Sequence, residues 1–215
     1  TINLQQPRGV LHRAFSVFLF DDAGRLLLQQ RAGDKITFPN VWTNTCCSHQ
    51  LEDMTPREVD TEPEVLSGSI PGSRNAATRK LRHELGIETP APLDFRFVTR
   101  LHYWAIDTKT HGVDSPWGEH EVDYILLARV PEGGLDVEPN LEEVQAVRYV
   151  TPADLEGMLA DEANLWSPWF RIVATDPRFL PRWWESLDAL VPRAGEAPAG
   201  EAPAGEAPAG EAPAG

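Results

Sequence analysis

The sequence predicts a mixed domain of the α+β kind, and three observations carry that expectation. Two β-rich runs, Ala14-Phe15-Ser16-Val17-Phe18-Leu19-Phe20 and Leu26-Leu27-Leu28-Gln29-Gln30-Arg31, are separated by Asp21-Asp22-Ala23-Gly24, which has the chemistry of a hairpin turn. A helical stretch runs from Asn75, a candidate N-cap, to Gly86, the residue expected just past its end. Three further strand-like runs follow, and then helical segments, two of them opened by a capping residue and a proline. At 215 residues and 41% hydrophobic, the chain has room for one domain of ordinary size with a real core.

Thr1 to Leu11 is polar, with Pro7 and Gly9, and reads as an entry segment. After the hairpin, Arg31 to Val41 is a loop with a Pro39-Asn40 turn, delivering Thr43-Asn44-Thr45-Cys46-Cys47-Ser48-His49. Leu51 to Ser73 is acidic, rich in Pro, Ser and Gly and without periodicity, so a surface insertion is expected there. In the following helix Ala77, Leu81 and Leu85 make an apolar stripe, and Lys80 and Glu84 a polar one beside it. Phe95 to Ile106, His120 to Val130 and Val144 to Val150 read as strands, with a loop from Asp107 to Gly118. Thr151-Pro152 and Ser167-Pro168 open helices, and the last helical segment, around Trp183 to Leu187, ends near Pro192. The folded domain is expected to occupy 1–194. From Gly195 the five-residue repeat Gly-Glu-Ala-Pro-Ala has no bulky apolar residue to bury, so 195–215 is expected to be a disordered tail.

A net charge of −14 with no long basic run argues against a partner that is nucleic acid or an anionic membrane surface. An anionic substrate would need a local cluster of Lys, Arg or metal ions. No apolar run reaches the roughly 18 residues of a membrane span, and no signal peptide is visible. Cys46 and Cys47, the only cysteines, are adjacent and cannot easily form a normal disulfide, so a reducing compartment is expected. The expected location is cytoplasmic, with a plastid or other organelle open because the chain lacks an initiator Met and a targeting segment could have been removed. A monomer is expected.

Several polar residues sit oddly in this plan: His12, Arg31, Lys35, Cys47, His49, Glu84, Tyr103, Glu119, Glu121 and Trp169. Singly each has an ordinary role, His12 as a strand-end surface residue, Tyr103 and Trp169 in the core, the cysteines as small buried hydrophobes. A reduced Cys beside a His can also serve nucleophilic catalysis, acid/base catalysis or metal ligation. Strand alternation places Glu119 and Glu121 on one face and His120 on the other. Two carboxylates side by side repel unless the face is solvated or a cation holds them. Converging with His12 and His49, they would suit a divalent ion such as Mg2+, Mn2+ or Zn2+. Arg31, Lys35 and Lys80 could bind phosphate oxygens.

The blocks Leu11-His12-Arg13-Ala14-Phe15-Ser16, Thr37-Phe38-Pro39, Trp42-Thr43-Asn44-Thr45-Cys46-Cys47-Ser48-His49, Arg82-His83-Glu84-Leu85-Gly86 and Trp117-Gly118-Glu119-His120-Glu121-Val122-Asp123-Tyr124 occur in an order that closely resembles the type I isopentenyl-diphosphate delta-isomerases of eukaryotic form. The resemblance runs from about Leu11 to Leu187. It implies the Nudix fold, an α/β/α sandwich with a mixed sheet, and the interconversion of isopentenyl and dimethylallyl diphosphate in isoprenoid biosynthesis. It also implies a small-molecule prenyl diphosphate as partner and Cys47 and Glu121 as catalytic residues. Tyr103 would hydrogen-bond near the carboxyl, and Trp169 would offer a π face to a cationic centre. The resemblance further implies one divalent metal on His12, His49, Glu119 and Glu121, and a Mg2+ held by Glu84 that bridges to the diphosphate, whose oxygens Arg31, Lys35 and Lys80 bind. Three departures stand out. The family's further histidine ligand upstream of His12 is absent, with Asn3 or Gln5 roughly in its place, Gln50 replaces a Pro, and Lys80 stands where some members have Arg. One rival is a Nudix diphosphate hydrolase, which requires a box of clustered carboxylates; Arg79-Lys80-Leu81-Arg82-His83-Glu84 leaves one. The other is a catalytically weak pseudoenzyme that only binds prenyl diphosphate.

Overall fold

A computed structural model describes residues 9–88, 93–130 and 134–193; most of the entry segment and the repeat tail 195–215 lie outside the described residues. In chain order the elements are β1 (His12–Phe20), β2 (Leu26–Arg31), β3 (Trp42–Thr43), β4 (Cys46–Ser48), α1 (Glu62–Ser67), α2 (Pro71–Leu85), β5 (Arg96–Ile106), α3 (Thr108–His111), β6 (Gly118–Arg129), β7 (Val144–Val150), α4 (Pro152–Ala160), α5 (Pro168–Thr175), α6 (Leu180–Glu185) and α7 (Leu187–Leu190). The sheet runs β3-β2-β1-β6-β5, with β4 also on β1 and β7 also on β2. It is mixed: β1 and β6 are parallel, and the other paired strands antiparallel.

β1 is apolar on both faces because both are covered. Phe18, Phe20, Leu26, Leu28, Ile125 and Leu127 face a core closed by Phe170, Val173, Leu180, Trp183 and Leu187 of α5, α6 and α7. Phe15, Val17, Leu19, Leu27 and Leu126 face Ala77, Leu81 and Leu85 of α2. Helices on both sides of a mixed sheet give the expected sandwich, and the apolar stripe of α2 is the one read from its spacing. Gly86 ends that helix with φ +64°, and Ile87 N–H reaches back to the Leu81 carbonyl at 3.3 Å, satisfying one of the last carbonyls.

The start of α2 differs from the expectation. Asn75 is not the N-cap: the helix begins at Pro71, and the Asp60 carboxylate accepts from Gly72 N at 2.6 Å, Ser73 N at 2.9 Å and Ser73 Oγ. A remote carboxylate meets the orphan donors of the first turn and also opposes the helix dipole. The same contact corrects the view of 51–73 as mere surface. That segment carries α1 and buries Glu58 and Asp60, and Glu58 pairs with Arg79 of α2 at 2.5 Å.

The β1–β2 hairpin forms as expected but pairs only at its turn end, Phe20 with Leu26. Beyond it the strands part and Trp42 to Ser48 enters between them. Trp42 and Thr43 pair with Gln30 and Gln29 of β2, the chain reverses at Asn44-Thr45, and Cys46, Cys47 and Ser48 pair with Val17, Ser16 and Phe15 of β1. At the tip the Thr45 hydroxyl accepts from Leu19 N at 2.9 Å and donates to the Leu27 carbonyl at 2.6 Å, replacing the ladder bonds those two residues would otherwise exchange. Asn44 Nδ2 donates to the carbonyls of Val17 at 3.1 Å and Cys46 at 2.7 Å. Among the described residues no helix is long and apolar enough to cross a membrane. Replacing Thr45 by Val keeps the shape but strands a buried donor and a buried acceptor, and should cost about 3 kcal/mol; urea unfolding of Thr45→Val against the parent measures it, and an unchanged midpoint would show that the tip is not what holds the split hairpin.

Candidate active site

The histidine/glutamate and Cys47 parts of the site lie on the α5 side of the sheet, Lys80 and Glu84 reach it from α2, and strand alternation assembles the rest. On β6, Glu119, Glu121 and Asp123 point one way. Glu119 is preceded by Gly118, where an added Cβ would lie 2.4 Å from the Ala105 carbonyl, so only glycine lets β5 and β6 approach there. On β1, His12 stands opposite Glu121 in register. In the Cys-Cys-Ser-His run Cys47 and His49 share a face two residues apart, while Cys46 turns into the opposite core with Val17 and Leu81.

The first group is His12, His49, Glu119 and Glu121, whose potential ligand atoms all lie within 4.8 Å of one another. His49 Nε2 is 2.9 Å from Glu121 Oε1, and His12 Nε2 is 3.4 Å from both Glu119 Oε2 and Glu121 Oε1. His12 Nδ1 donates to the Val10 carbonyl at 2.7 Å, which aims Nε2 into the cluster as a metal-binding histidine requires. Two imidazoles and two buried carboxylates fit a divalent cation by donor type. Tyr103 Oη donates to Glu121 Oε2 at 2.6 Å. Burial pushes the Glu121 carboxyl up, but hydrogen bonds from His12, His49 and Tyr103 outweigh it and hold it down at about 2. Hydrogen bonds to Glu119 and Glu121 raise His12 to about 10.

The second group surrounds Cys47. Burial drives its thiol up to about 12 despite the opposing charge of Arg31, whose Nη1 is 3.9 Å from the sulfur. Trp169, the one tryptophan of α5, donates from Nε1 to Asn44 Oδ1 at 3.1 Å and packs against Phe38 and Tyr103 with ring centroids 5.6 and 5.9 Å away. The Arg31 guanidinium lies over the Trp169 ring at 5.8 Å. Its Nε and Nη2 donate to the carbonyls of Phe38 and Thr37, each at 2.9 Å, so Arg31 holds the loop before β3 as well as facing the cysteine.

The third group is basic and acidic together. Lys35 pairs with Glu143, and Lys80 Nζ lies 3.0 Å from Glu84 Oε1 and 4.0 Å from Glu143 Oε2. Gln29 Nε2 donates to Glu84 Oε2 at 3.0 Å. Glu84 therefore stands with the lysines and outside the four-ligand cluster. Burial and the nearby charge of Arg31 lower the Lys35 ammonium.

Two site residues escaped the sequence. Asp123 is fully buried and accepts from Ser16 Oγ at 2.7 Å beneath the site, and burial and the charge of Glu121 push its carboxyl well above the usual value. Continuing the Glu119, Glu121 alternation by one step finds it. Glu143 joins the lysines from a loop far along the chain, with no local signal.

The His/Glu cluster sets a pH dependence. A histidine raised from 6.5 to about 10 contributes stability that is complete below 6.5 and lost as pH rises to 10. Glu121, lowered from 4.5 to about 2, contributes above 4.5 and loses it as pH falls through 2. Thermal midpoints measured in chelator should therefore fall from about pH 6.5 to 10, less in His12→Asn, and excess divalent cation should flatten the decline by replacing the proton on His12. Parallel profiles for parent and variant would show that His12 does not hold that proton.

Comparison with known proteins places the chain in a family. A family profile described as NUDIX domain matches residues 72–170. An isopentenyl-diphosphate delta-isomerase of Schizosaccharomyces pombe is 47% identical over 183 residues, 84% of this chain and 73% of that protein. One from Phaffia rhodozyma is 46% identical over 200 residues, 92% of this chain and 72% of that protein. Isopentenyl-diphosphate Delta-isomerase 1 of Bos taurus is 42% identical over 194 residues, 88% of this chain and 77% of that protein. By these relatives, over most of its length, the chain belongs to the isopentenyl-diphosphate delta-isomerase family, built on a Nudix domain.

Proposed function

We propose that the protein interconverts isopentenyl and dimethylallyl diphosphate by moving two protons, with Cys47 and Glu121 as the acid and base. The single observation that carries the reading is their opposite surroundings on one sheet face: Cys47 packs against the apolar core, which pushes its thiol up to about 12, while Glu121 receives His12, His49 and Tyr103, which hold its carboxyl down at about 2. Shifting a double bond by one position adds a proton at one carbon and removes one at another. An unactivated alkene is a weak base, so the charge that develops is carbocation-like and requires a dry site with one protonated and one unprotonated group. Cys47 starts with its proton and Glu121 without, so in the direction of dimethylallyl diphosphate Cys47 gives and Glu121 takes.

Tyr103 holds the Glu121 carboxyl in one orientation, and Trp169, fixed by Asn44, offers its π face to the cationic carbon, an interaction of roughly 2 kcal/mol when desolvated. No covalent bond to sulfur is needed, and Cys46, turned into the other core, takes no part. Lys35, Lys80 and Arg31 would bind the diphosphate oxygens. His12, His49, Glu119 and Glu121 would hold one divalent cation, and Glu84 would help hold a Mg2+ against the diphosphate. A cation on the four ligands would neutralise two adjacent buried carboxylates; Mg2+, Mn2+ and Zn2+ all suit that donor set. The free, adjacent cysteines suit a reducing compartment.

The hydrolase alternative requires clustered carboxylates where this chain has Lys80 and His83, leaving Glu84 alone. The test is deuterium exchange from D2O into isopentenyl diphosphate with Mg2+ or Mn2+ present. Cys47→Ala and Glu121→Gln should each lose about 10^2- to 10^4-fold, with substrate binding retained in Cys47→Ala. Equal rates in all three proteins would remove the mechanism, and phosphate release without exchange would favour hydrolysis.

A further inference from the structure

The back of the strand that carries Glu119 and Glu121 presents a second pair of imidazoles. His120 points away from the inner cluster by strand alternation, and His102 of β5 lies diagonally across from it, since Trp104 pairs with His120 and His102 with Val122. Their rings stack with centroids 5.2 Å apart at 25°, and the two Nε2 atoms face each other at 3.0 Å. His102 is exposed and His120 half-buried, so water and dissolved ions reach both.

That separation is what a chelated metal needs. Two nitrogens each about 2.0 to 2.1 Å from a first-row cation, at an angle between 90° and tetrahedral, stand roughly 2.9 to 3.4 Å apart. The orientation of one ligand is also set. His120 Nδ1 lies 3.1 Å from the Gly9 carbonyl, which can only accept, so Nδ1 carries the proton and the Nε2 lone pair faces His102. Val10, the next residue, does the same for His12 on the inner side. Two successive carbonyls, those of Gly9 and Val10, thus direct one histidine to each face of the sheet.

We propose that His102 and His120 form a second cation site, a two-histidine clamp on the outer face of β5 and β6 that takes a late first-row divalent ion such as Zn2+, Ni2+ or Cu2+. The remaining positions are left to water. Imidazole-only donors bind these ions and leave Mg2+ to the carboxylates, so the two faces of the same strand pair differ in cation preference. The clamp is independent of the reaction on the inner face.

The experiment uses the full chain without an affinity tag. On Ni2+-charged chelating resin the parent should be retained and elute with imidazole; His102→Asn and His120→Asn should elute at clearly lower imidazole, and His12→Asn should match the parent. Equilibrium dialysis against Zn2+ should find one equivalent fewer bound to His102→Asn than to the parent, with Mn2+-supported isomerisation by that variant unchanged. Retention lost in His12→Asn but kept in His102→Asn, or equal Zn2+ content in parent and His102→Asn, would overturn the proposal. Thermal unfolding of each variant separates loss of the site from loss of the fold.

Discussion

The Thr45 hydroxyl, bridging the Leu19 N–H and the Leu27 carbonyl, is the contact on which the site's geometry rests. Two strands joined by a tight turn would normally zip together along their length. Here they are kept apart, and the gap receives a reversing segment whose own polar groups close the exposed ladder. A split sheet without that closure would leave buried backbone donors and acceptors unpaired, at about 1 to 3 kcal/mol for each. With it, the reversal fixes Cys47 opposite Ser16 and Trp42 against Leu165, whose carbonyl accepts from Trp42 N at 2.7 Å. Thr43 Oγ1 then meets Ser167 Oγ at 2.8 Å, which ties the cap of α5, and with it Trp169, to the same wedge.

From that frame the opposed chemistry of Cys47 and Glu121 follows from what each side chain touches. Cys47 packs against the apolar core beside one guanidinium that is mostly committed to carbonyls, so burial governs its thiol. Glu121 is buried too but receives three donors, so its charge is favoured. Neighbouring positions on one face thus hold a group that keeps its proton and one that gives it up, the pattern that separates acid from base. For Asp123, one alternation deeper, which accepts from the Ser16 hydroxyl, burial prevails and pushes the carboxyl up.

Much of this was legible in the chain. The alternation of Glu119, His120 and Glu121, the stripe and Gly86 terminus of α2, and the Thr151-Pro152 and Ser167-Pro168 helix starts are local patterns, and local patterns survive folding. The misses are non-local. Asn75 looked like a cap because it has a capping side chain, yet that side chain donates to the Arg57 carbonyl at 2.8 Å and the cap is Asp60, eleven residues before Pro71. Glu58 and Asp60 read as solvated charge because nothing near them in sequence shows Arg79 or the first turn of α2 arriving to pair with them. The parallel pairing of β1 with β6, which brings His12 to Glu121, joins residues 109 apart in the chain.

The lysine group shows how an acidic protein can keep a cationic subsite ready. Half-buried Lys35 and Lys80 side by side would repel and lose hydration, and the lowered Lys35 ammonium records that cost. Glu84 and Glu143 offset it, each accepting a lysine, and Gln29 holds Glu84 in place. A diphosphate arriving here would exchange those carboxylates for its own oxygens, leaving Glu84 and Glu143 without their cations. Two freed carboxylates beside a polyanion are tolerable only if further positive charge arrives with the substrate. In the proposed reaction a Mg2+ arriving with the diphosphate would meet that demand, and Glu84, already held by Gln29, would be the carboxylate to receive it.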